Sequence, residues 1–332
     1  MYSFLLRRLL YSIPIYLGII LIVMAALRVN DPVYAYLGKH ASAEQIDQKR
    51  TDMGLDEAFV VQYARFFKQI VTLDFGATRS WRYETKSVGE ILSESVVPTL
   101  SITAPAFVIT TIVSIAVGLI SAYYRGRPID RILMFFIVLG MSISVLVFII
   151  FGQYFGANWL KARFGLDWFA SSGYEPWLQW SSGDARGLAF RPGLWIYYCA
   201  LPVAIDVVLA MGYDTRFYRA VMVEETTRDY VTTAIAKGAT RPKVLFVHTL
   251  KNAMIPIITR VMISFPFLIG GSILIETQFR IPGMGRALIE AITNKDFPVI
   301  QAFTAVFAAL FVITNIATDV LYALVDPRVR LA

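Results

Sequence analysis

Six long apolar segments constrain the fold of this chain more than any other feature of its sequence. A helix needs about 20 apolar residues to cross the hydrocarbon core of a bilayer. Of the 332 residues 57% are hydrophobic and 17% are charged, which is more apolar side chain than one soluble core could bury. We therefore predict an all-α membrane protein with six transmembrane helices, at residues 9–28, 97–123, 131–155, 194–213, 254–275 and 300–325.

The first apolar segment follows Arg7 and Arg8, a pattern that signal peptides share. Its apolar run is longer than that of a usual signal peptide, and five further spans follow it. We therefore interpret it as an uncleaved transmembrane helix.

The distribution of basic residues orients the predicted helices. With a cytoplasmic N-terminus, fourteen Lys and Arg residues fall in short inner segments close to the ends of the spans. The outer segments 29–96, 156–193 and 276–299 also contain basic residues, but acidic residues match them. This bias follows the positive-inside rule, so both termini and residues 229–253 are predicted to be cytoplasmic.

Two outer segments have features of their own. In residues 29–96, Ser42 is placed to cap a helix and Gly54 to end it, which predicts a small helical subdomain between the first two spans. Residues 156–193 with their flanks hold five of the six tryptophans. These tryptophans form either an interfacial aromatic belt or a docking surface for an external partner.

Residues 229–253, DYVTTAIAKGATRPKVLFVHTLKNA, separate the fourth and fifth spans. Their pattern predicts a helix that Gly238 ends and a second helix that Thr240 caps, with Pro242 in its first turn. The first helix is predicted to have a face of small and apolar residues, and the second to continue an apolar stripe into the next span: Val231, Ala234, Ile235 and Gly238, then Phe246, Leu250 and Ala253.

Two interpretations of the 229–253 segment follow from these residues: a solvated basic loop, or a plug that binds a soluble partner. Nucleic acid is excluded as a partner. A loop tethered at both ends by membrane spans is poorly placed to enter a major groove about 12 Å wide.

The same segment resembles the cytoplasmic coupling loop of ABC importer permeases of the dipeptide, oligopeptide and nickel uptake group. The matching residues are Asp229, Tyr230, Thr233, Ala234, Ala236, Lys237, Gly238, His248, Asn252, Ala253 and Pro256. Four further stretches resemble this group in order and spacing: RRLLYSIP, LDFGATRS, IETQFRIPGMGRALIEAITNKDFPVIQ and DVLYALVDPRVR. The resemblance therefore extends over nearly the whole chain.

The resemblance implies a permease subunit with the six-helix fold of type I ABC importers. Its implied partners are a second homologous permease subunit, two cytoplasmic P-loop ATPase subunits, an extracytoplasmic solute-binding protein and the lipid bilayer. The chain has no G-x-x-x-x-G-K-[ST] phosphate loop. We therefore expect no cofactor and no catalytic residue here, with ATP and Mg²⁺ bound by the partner ATPases.

The resemblance also implies a multi-pass protein of the bacterial cytoplasmic (inner) membrane. Its organisation is predicted as residues 1–28 for the N-terminus and first span, 29–96 for the outer helical segment, 97–325 for a five-helix permease core that contains the 229–253 segment, and 326–332 for a cytoplasmic tail. The implied cargo is short peptides, with nickel chelates or other small solutes as alternatives.

An alternative from another class is an ion-coupled secondary transporter, suggested by the acidic residues Asp206 and Asp319 inside predicted spans. Asp206 is either a wall residue of the translocation path or a buried acid paired with a neighbouring chain. A membrane-embedded hydrolase lacks support, because His248 has no metal-ligating or nucleophilic partner at useful spacing. We expect no metal site, since the single cysteine, Cys199, is predicted to be a small core residue.

Overall fold

The computed structural model describes residues 2–27, 33, 37, 42–52, 54–72, 75, 80, 86–175, 178–180, 188–190, 192–266, 268 and 272–325. The described chain is almost wholly helical. Its helices, in chain order, are α1 (Tyr2–Leu27), α2 (Ala43–Asp52), α3 (Phe59–Thr72), α4 (Val88–Tyr123), α5 (Pro128–Ser142), α6 (Val145–Phe164), α7 (Pro192–Glu225), α8 (Asp229–Ala236), α9 (Arg241–Ser264), α10 (Ile273–Phe279), α11 (Met284–Thr293) and α12 (Phe297–Val325).

A short hairpin is the exception to this helical architecture within the described ranges. Strands β1 (Leu178–Trp180) and β2 (Leu188–Phe190) are antiparallel, with Gln179 opposite Ala189. The hairpin falls inside the tryptophan-rich outer segment and leaves the all-α class unchanged.

Five of the described helices are long and apolar enough to cross a membrane: α4, α6, α7, α9 and α12. In the region of the first predicted span, 9–28, helix α1 has a shorter apolar run, Leu10–Ala26. The second, fourth and sixth predicted spans fall within α4, α7 and α12. The predicted tail, residues 326–332, lies outside the described residues.

The predicted third span, 131–155, is wrong. Helix α5 ends at Ser142, whose hydroxyl donates to the carbonyl of Val138 at 2.8 Å, and Ile143 has extended backbone. The spanning helix in this region is instead α6, Val145–Phe164. Hydropathy alone did not locate this break, because the helices on both sides of it are apolar.

The predicted fifth span, 254–275, is placed too late in the chain. Helix α9 begins at Arg241 and ends at Ser264, and the turn after it carries hydrogen bonds from Phe265 N–H to the Met262 carbonyl and from Leu268 N–H to the Phe265 carbonyl, each 3.1 Å long. A separate short helix, α10, follows. The sequence remains apolar across this turn, so its hydropathy gave no indication that the helix ends.

The chain divides by its internal contacts into two units, residues 1–96 with 282–316 and residues 97–281 with 317–332. In the first unit, Ser42 caps α2 as predicted, and the structure adds Gln45 as its partner in a capping box: Gln45 N–H donates to Ser42 Oγ at 3.3 Å, and Ser42 N–H donates to Gln45 Oε1 at 3.1 Å. Gly54 has a φ of +64°, as a helix stop requires. The helical character of this outer segment is therefore confirmed where it is described.

Two of the motifs that carry the family resemblance meet in the first unit. The Ser80 hydroxyl, from LDFGATRS, donates a hydrogen bond to Asp296, from the NKDFPVIQ end of the long motif, and each residue is only 2% exposed. Buried polar groups are costly unless they are paired. The two motifs therefore stabilise each other's position within this unit.

Among the described residues of the second unit, two apolar cores are present. One contains Ile149, Ile205 and Phe279, together with Cys199, which is fully buried as predicted. The other lies around Tyr218 and Met222 of α7 and includes Leu119 of α4 and Leu245 and Ala253 of α9. The second core therefore supports the first part of α9, which belongs to the 229–253 segment.

Candidate functional site

A buried ion pair fixes the end of α7 that leads into the 229–253 segment. Arg219 donates from Nε to Asp130 Oδ1 and from Nη2 to Asp130 Oδ2, both at 2.8 Å. Asp130 also accepts hydrogen bonds from the Ser121 hydroxyl and from Gly126 N–H. Asp130 belongs to α5, so this arrangement joins α5 to α4, to the turn between these two helices and to α7.

The same four contacts determine the ionisation of Asp130. The hydrogen bond from the Arg219 guanidinium has the largest effect and lowers the pKa of Asp130. The Ser121 hydroxyl and Gly126 N–H act in the same direction, so the pKa of Asp130 lies well below its usual range, although burial acts in the opposite direction. Asp130 is therefore ionised at every physiological pH.

The 229–253 segment lies at the end of the second unit that contains this ion pair. The Arg241 guanidinium lies 5.4 Å from the centre of the Tyr123 ring, at the end of α4. At the other end of α7, Ala170 N–H donates to the Tyr197 carbonyl at 2.8 Å. Tyr197 and Arg219 are about 33 Å apart along the helix at the α-helical rise, close to the thickness of a hydrocarbon core of about 30 Å.

The predicted arrangement of a helix, a glycine turn and a second helix is present in residues 229–253. Helix α8 ends in a Schellman motif, in which Ala239 N–H donates to the Ala234 carbonyl at 3.0 Å and Gly238 N–H donates to the Ile235 carbonyl at 2.9 Å. Gly238 has a φ of +81°, a conformation that side chains with a Cβ rarely adopt. The glycine is therefore required by the turn.

Polar contacts hold α8 against the end of α7. The Tyr230 hydroxyl donates to Glu225 Oε2 at 2.8 Å, and Arg228 donates from Nη2 to Glu224 at 3.0 Å. Burial is the main cause of the raised pKa of the Tyr230 phenol, so this donor stays protonated. These contacts join the start of α8 to the end of α7.

The face that the sequence predicted on α8 is divided in the structure. Val231 is 6% exposed and Ala234 is partly buried, whereas Ile235 is 59% exposed. The first turn of α8 packs on the core, but the second turn extends beyond it. Ile235 is therefore the large apolar side chain that α8 presents outward, while Val231 belongs to the core.

The start of α9 departs from the predicted stripe because residues Val244–Thr249 form a π-helical stretch. A π-helix has more residues per turn, so it rotates the apolar pattern relative to an α-helix. Val244 and Leu245 are buried, whereas Phe246 is 55% and Val247 is 50% exposed. Phe246 and Ala253, which the predicted apolar stripe included together, therefore lie on different sides of α9, because Ala253 is fully buried.

The remaining predicted residues of this segment differ in burial. Five are exposed, and His248 is partly buried without a hydrogen bond to any residue that the structure describes; the exposed ones are Asp229, Thr233, Ala236, Lys237 and Gly238. Thr240 occupies the N-cap position of α9 and Pro242 its first turn, but the Thr240 hydroxyl makes no capping bond. Thr240 is therefore the N-cap residue by position, as predicted, but its side chain does not cap the helix.

A cavity of about 360 Å³ lies within the second unit, and Asp206 lines it. The α7 residues Asp206, Ala210, Tyr213 and Asp214 form one side, which is the spacing of a single helix face. Thr103, Phe107 and Thr110 of α4 and Arg260 and Ser264 of α9 are also in its wall.

The two carboxylates of this cavity have different surroundings. Asp214 Oδ1 accepts a hydrogen bond from Arg260 Nε at 2.9 Å, so this pair is internally neutral. Asp206 makes no hydrogen bond or ion pair with another residue of the described chain. Sequence reasoning identified Asp206 but missed Arg260, although a charged residue inside a predicted span is itself an indication of function.

Comparison with known proteins identifies the family of the chain. Residues 114–331 match the binding-protein-dependent transport system inner membrane component, and residues 1–90 match the N-terminal family of the same membrane components. The chain belongs to this family. It is thus a membrane permease component of an ABC transporter, as the resemblance implied, and the alternative of an ion-coupled carrier is excluded.

Individual members of the family are similar to this permease over its full length. It is 32% identical over 329 residues to a protein of Sinorhizobium fredii named as a probable peptide ABC transporter permease, covering 98% of this chain and 99% of the relative. It is also 32% identical over 333 residues to a glutathione transport system permease of Salmonella paratyphi A, covering 99% of each chain. The family implies ATPase and solute-binding-protein partners, and the chemistry of ATP hydrolysis belongs to the ATPases.

Proposed function

We propose that this permease is one of two homologous membrane subunits of an importer of short peptides. The full-length similarity to relatives named for peptide and for glutathione transport supports this cargo class. In this proposal the protein lies in the bacterial inner membrane with both termini in the cytoplasm. Two P-loop ATPases bind ATP and Mg²⁺, and a solute-binding protein delivers the peptide from outside.

The 229–253 segment is the proposed docking site of a cytoplasmic ATPase. The main support is Ile235, a large apolar side chain that is 59% exposed. It lies on a helix whose first turn is bound to the end of α7 by the Tyr230 hydrogen bond to Glu225. Lys237, Arg241 and Lys243 of the same segment are exposed and add positive charge. An apolar anchor within a polar rim is the usual composition of a binding surface.

The fixed base of α8 gives a route for mechanical coupling. A force on Ile235 is transmitted through α8 and the Tyr230 contact to the end of α7, which the Arg219 pair with Asp130 joins to α4 and α5. ATP can drive transport only if the ATPases bind this surface with different affinity in the inward-open and outward-open states. The helices of the second unit would then move as the ATPases close around nucleotide.

The docking proposal is tested by Ile235→Glu, with Thr232→Glu as the matched control on an exposed position of the same helix. Loss of a buried Ile contact predicts about a tenfold or greater decrease in ATPase recovery with the purified permease and in peptide-stimulated ATP hydrolysis. Thr232→Glu should have a much smaller effect. Normal recovery and hydrolysis in Ile235→Glu would refute docking through this surface.

The cargo is tested separately from the docking surface. The solute-binding protein of the assembly would be purified from cells and its bound molecules identified by mass spectrometry. Short peptides are the expected result, and a metal chelate or another small solute in their place would contradict the peptide proposal.

A further inference from the structure

The cavity in the second unit has an unbalanced charge. Asp206 and Asp214 contribute two carboxylates and Arg260 one guanidinium, and Arg260 is bound to Asp214. The Asp206 carboxylate therefore remains without a counterion among the described residues, on a helix that crosses the membrane. Such a carboxylate is costly at this depth unless a cation accompanies it.

A second group in the cavity wall also lacks a partner. Thr110 is 3% exposed, and its hydroxyl makes no hydrogen bond within the described part of the chain. Buried hydroxyls are normally paired. A bound molecule that supplies both a cation and a hydrogen-bonding group would satisfy Asp206 and Thr110 together.

The two carboxylates of the cavity lie along α7, and Arg260 of α9 is bound to the second of them. Asp206 and Asp214 are about 12 Å apart along the helix axis at the rise of 1.5 Å per residue. Arg260 donates to Asp214 through Nε, and its terminal nitrogens have no acceptor among the described side chains. The cavity therefore has a negative group at one position and available guanidinium donors about two turns away.

We propose that this cavity is a cargo site, in which Asp206 binds the α-ammonium group of a short peptide and Arg260, positioned by Asp214, faces its carboxylate end. The separation of about 12 Å along α7, between Asp206 and the Asp214 that binds Arg260, suits an extended peptide of three or four residues, at 3.3–3.6 Å per residue. The Thr110 hydroxyl, in the wall of the same cavity, supplies a hydrogen bond to the peptide. This inference rests on the proposed peptide function and specifies the chemistry that the membrane subunit recognises.

The binding experiment uses the purified assembly of both permeases and the ATPases, without the solute-binding protein. Tri-alanine, N-acetyl-tri-alanine and tri-alanine amide are the probes, and their equilibrium binding is measured by calorimetry. The wild-type assembly should bind tri-alanine about tenfold more tightly than the N-acetylated form, because the ammonium group forms a charge-assisted hydrogen bond. Asp206→Asn should remove this discrimination while retaining the preference for a free carboxylate over the amide.

The transport experiment uses proteoliposomes with saturating solute-binding protein and labelled tri-alanine, and uptake is divided by the amount of assembled complex. Asp206→Asn should lower uptake about tenfold, and Asp206→Glu should restore most of it. Asp47→Asn, which removes an exposed carboxylate of the first unit, is the control and should transport normally.

The outcomes separate this site from the proposed function. Uptake of tri-alanine at the wild-type rate by Asp206→Asn, or equal binding of tri-alanine and its N-acetyl form by the wild type, would refute the cargo site alone. Loss of the second permease from the Asp206→Asn complex would also refute it, by showing that Asp206 pairs with the neighbouring chain. Absence of any peptide uptake by the wild-type assembly would refute the peptide function itself.

Discussion

Removal of the Arg219 partner from Asp130 gives the most direct test of how the end of α7 is held. The side chain of Asp130 is 5% exposed and that of Arg219 is 26% exposed. Breaking a buried ion pair from one side costs about 3–5 kcal/mol, because it leaves an uncompensated charge. Asp130 retains Ser121 and Gly126 as donors, so Arg219→Met should cost about 3 kcal/mol, at the lower end of this range.

The reverse change should be milder. Asp130→Asn leaves Arg219 without its carboxylate, but the guanidinium is partly exposed and can reach water, so the expected cost is about 1–2 kcal/mol. The double variant should be less destabilised than the sum of the two single variants, because the pair is already lost in each. The control is Arg228→Met, because the Arg228 side chain is 56% exposed and its closer partner Glu224 is 68% exposed, so the expected cost is less than about 1 kcal/mol.

The free energy of unfolding would be measured by reversible denaturation of the purified permease in detergent. The Asp130 pKa is lower in the folded than in the unfolded chain, so the pair stabilises the fold above about pH 4 and loses this effect as the pH falls through the lower value. The difference between wild type and Asp130→Asn should therefore stay constant from about pH 8 to about pH 5. Additive single effects, or a cost of Arg219→Met no larger than that of Arg228→Met, would refute this reasoning.

Two further predictions concern helix packing and orientation. A Cβ on Gly118 would lie 3.1 Å from the Arg219 backbone nitrogen, whereas Gly140 has nothing within 4 Å, so Gly118→Ala should lower the melting temperature and Gly140→Ala should not. Equal melting temperatures would show that α4 and α7 can separate without cost. A cysteine at Thr240 should react with impermeant reagents only from the cytoplasm and one at Ser172 only from outside, with little background because Cys199 is buried; labelling of both from one side would refute the proposed orientation.

The spans of this protein were predictable to different degrees. Helices α4, α7 and α12 were correctly located because each is a long apolar run bounded by charged or turn-forming residues. The third span was misplaced because a break at Ile143 lies between two apolar helices, and the fifth because α9 ends within an apolar stretch. Hydropathy measures the composition of a segment and contains no information on where its backbone hydrogen bonds stop.

The sequence by itself determined the class, the family motifs and the local turns. Gly238 and the cap Ser42 were identifiable because glycine conformation and capping depend on neighbouring residues only. Local patterns of this kind need no knowledge of the rest of the chain.

The tertiary structure alone decided which side chains meet. Val231 and Ile235 share a helical spacing, yet only the packing of the first turn of α8 on the core buries one and exposes the other. The π-helical stretch turned Phe246 outward against its α-helical pattern. Arg260 and Asp214 are distant in the chain, and α7 and α9 had to pack together before their pairing left Asp206 unmatched in the same cavity. Contacts between residues far apart in sequence depend on how the helices pack, which periodicity along one helix does not specify.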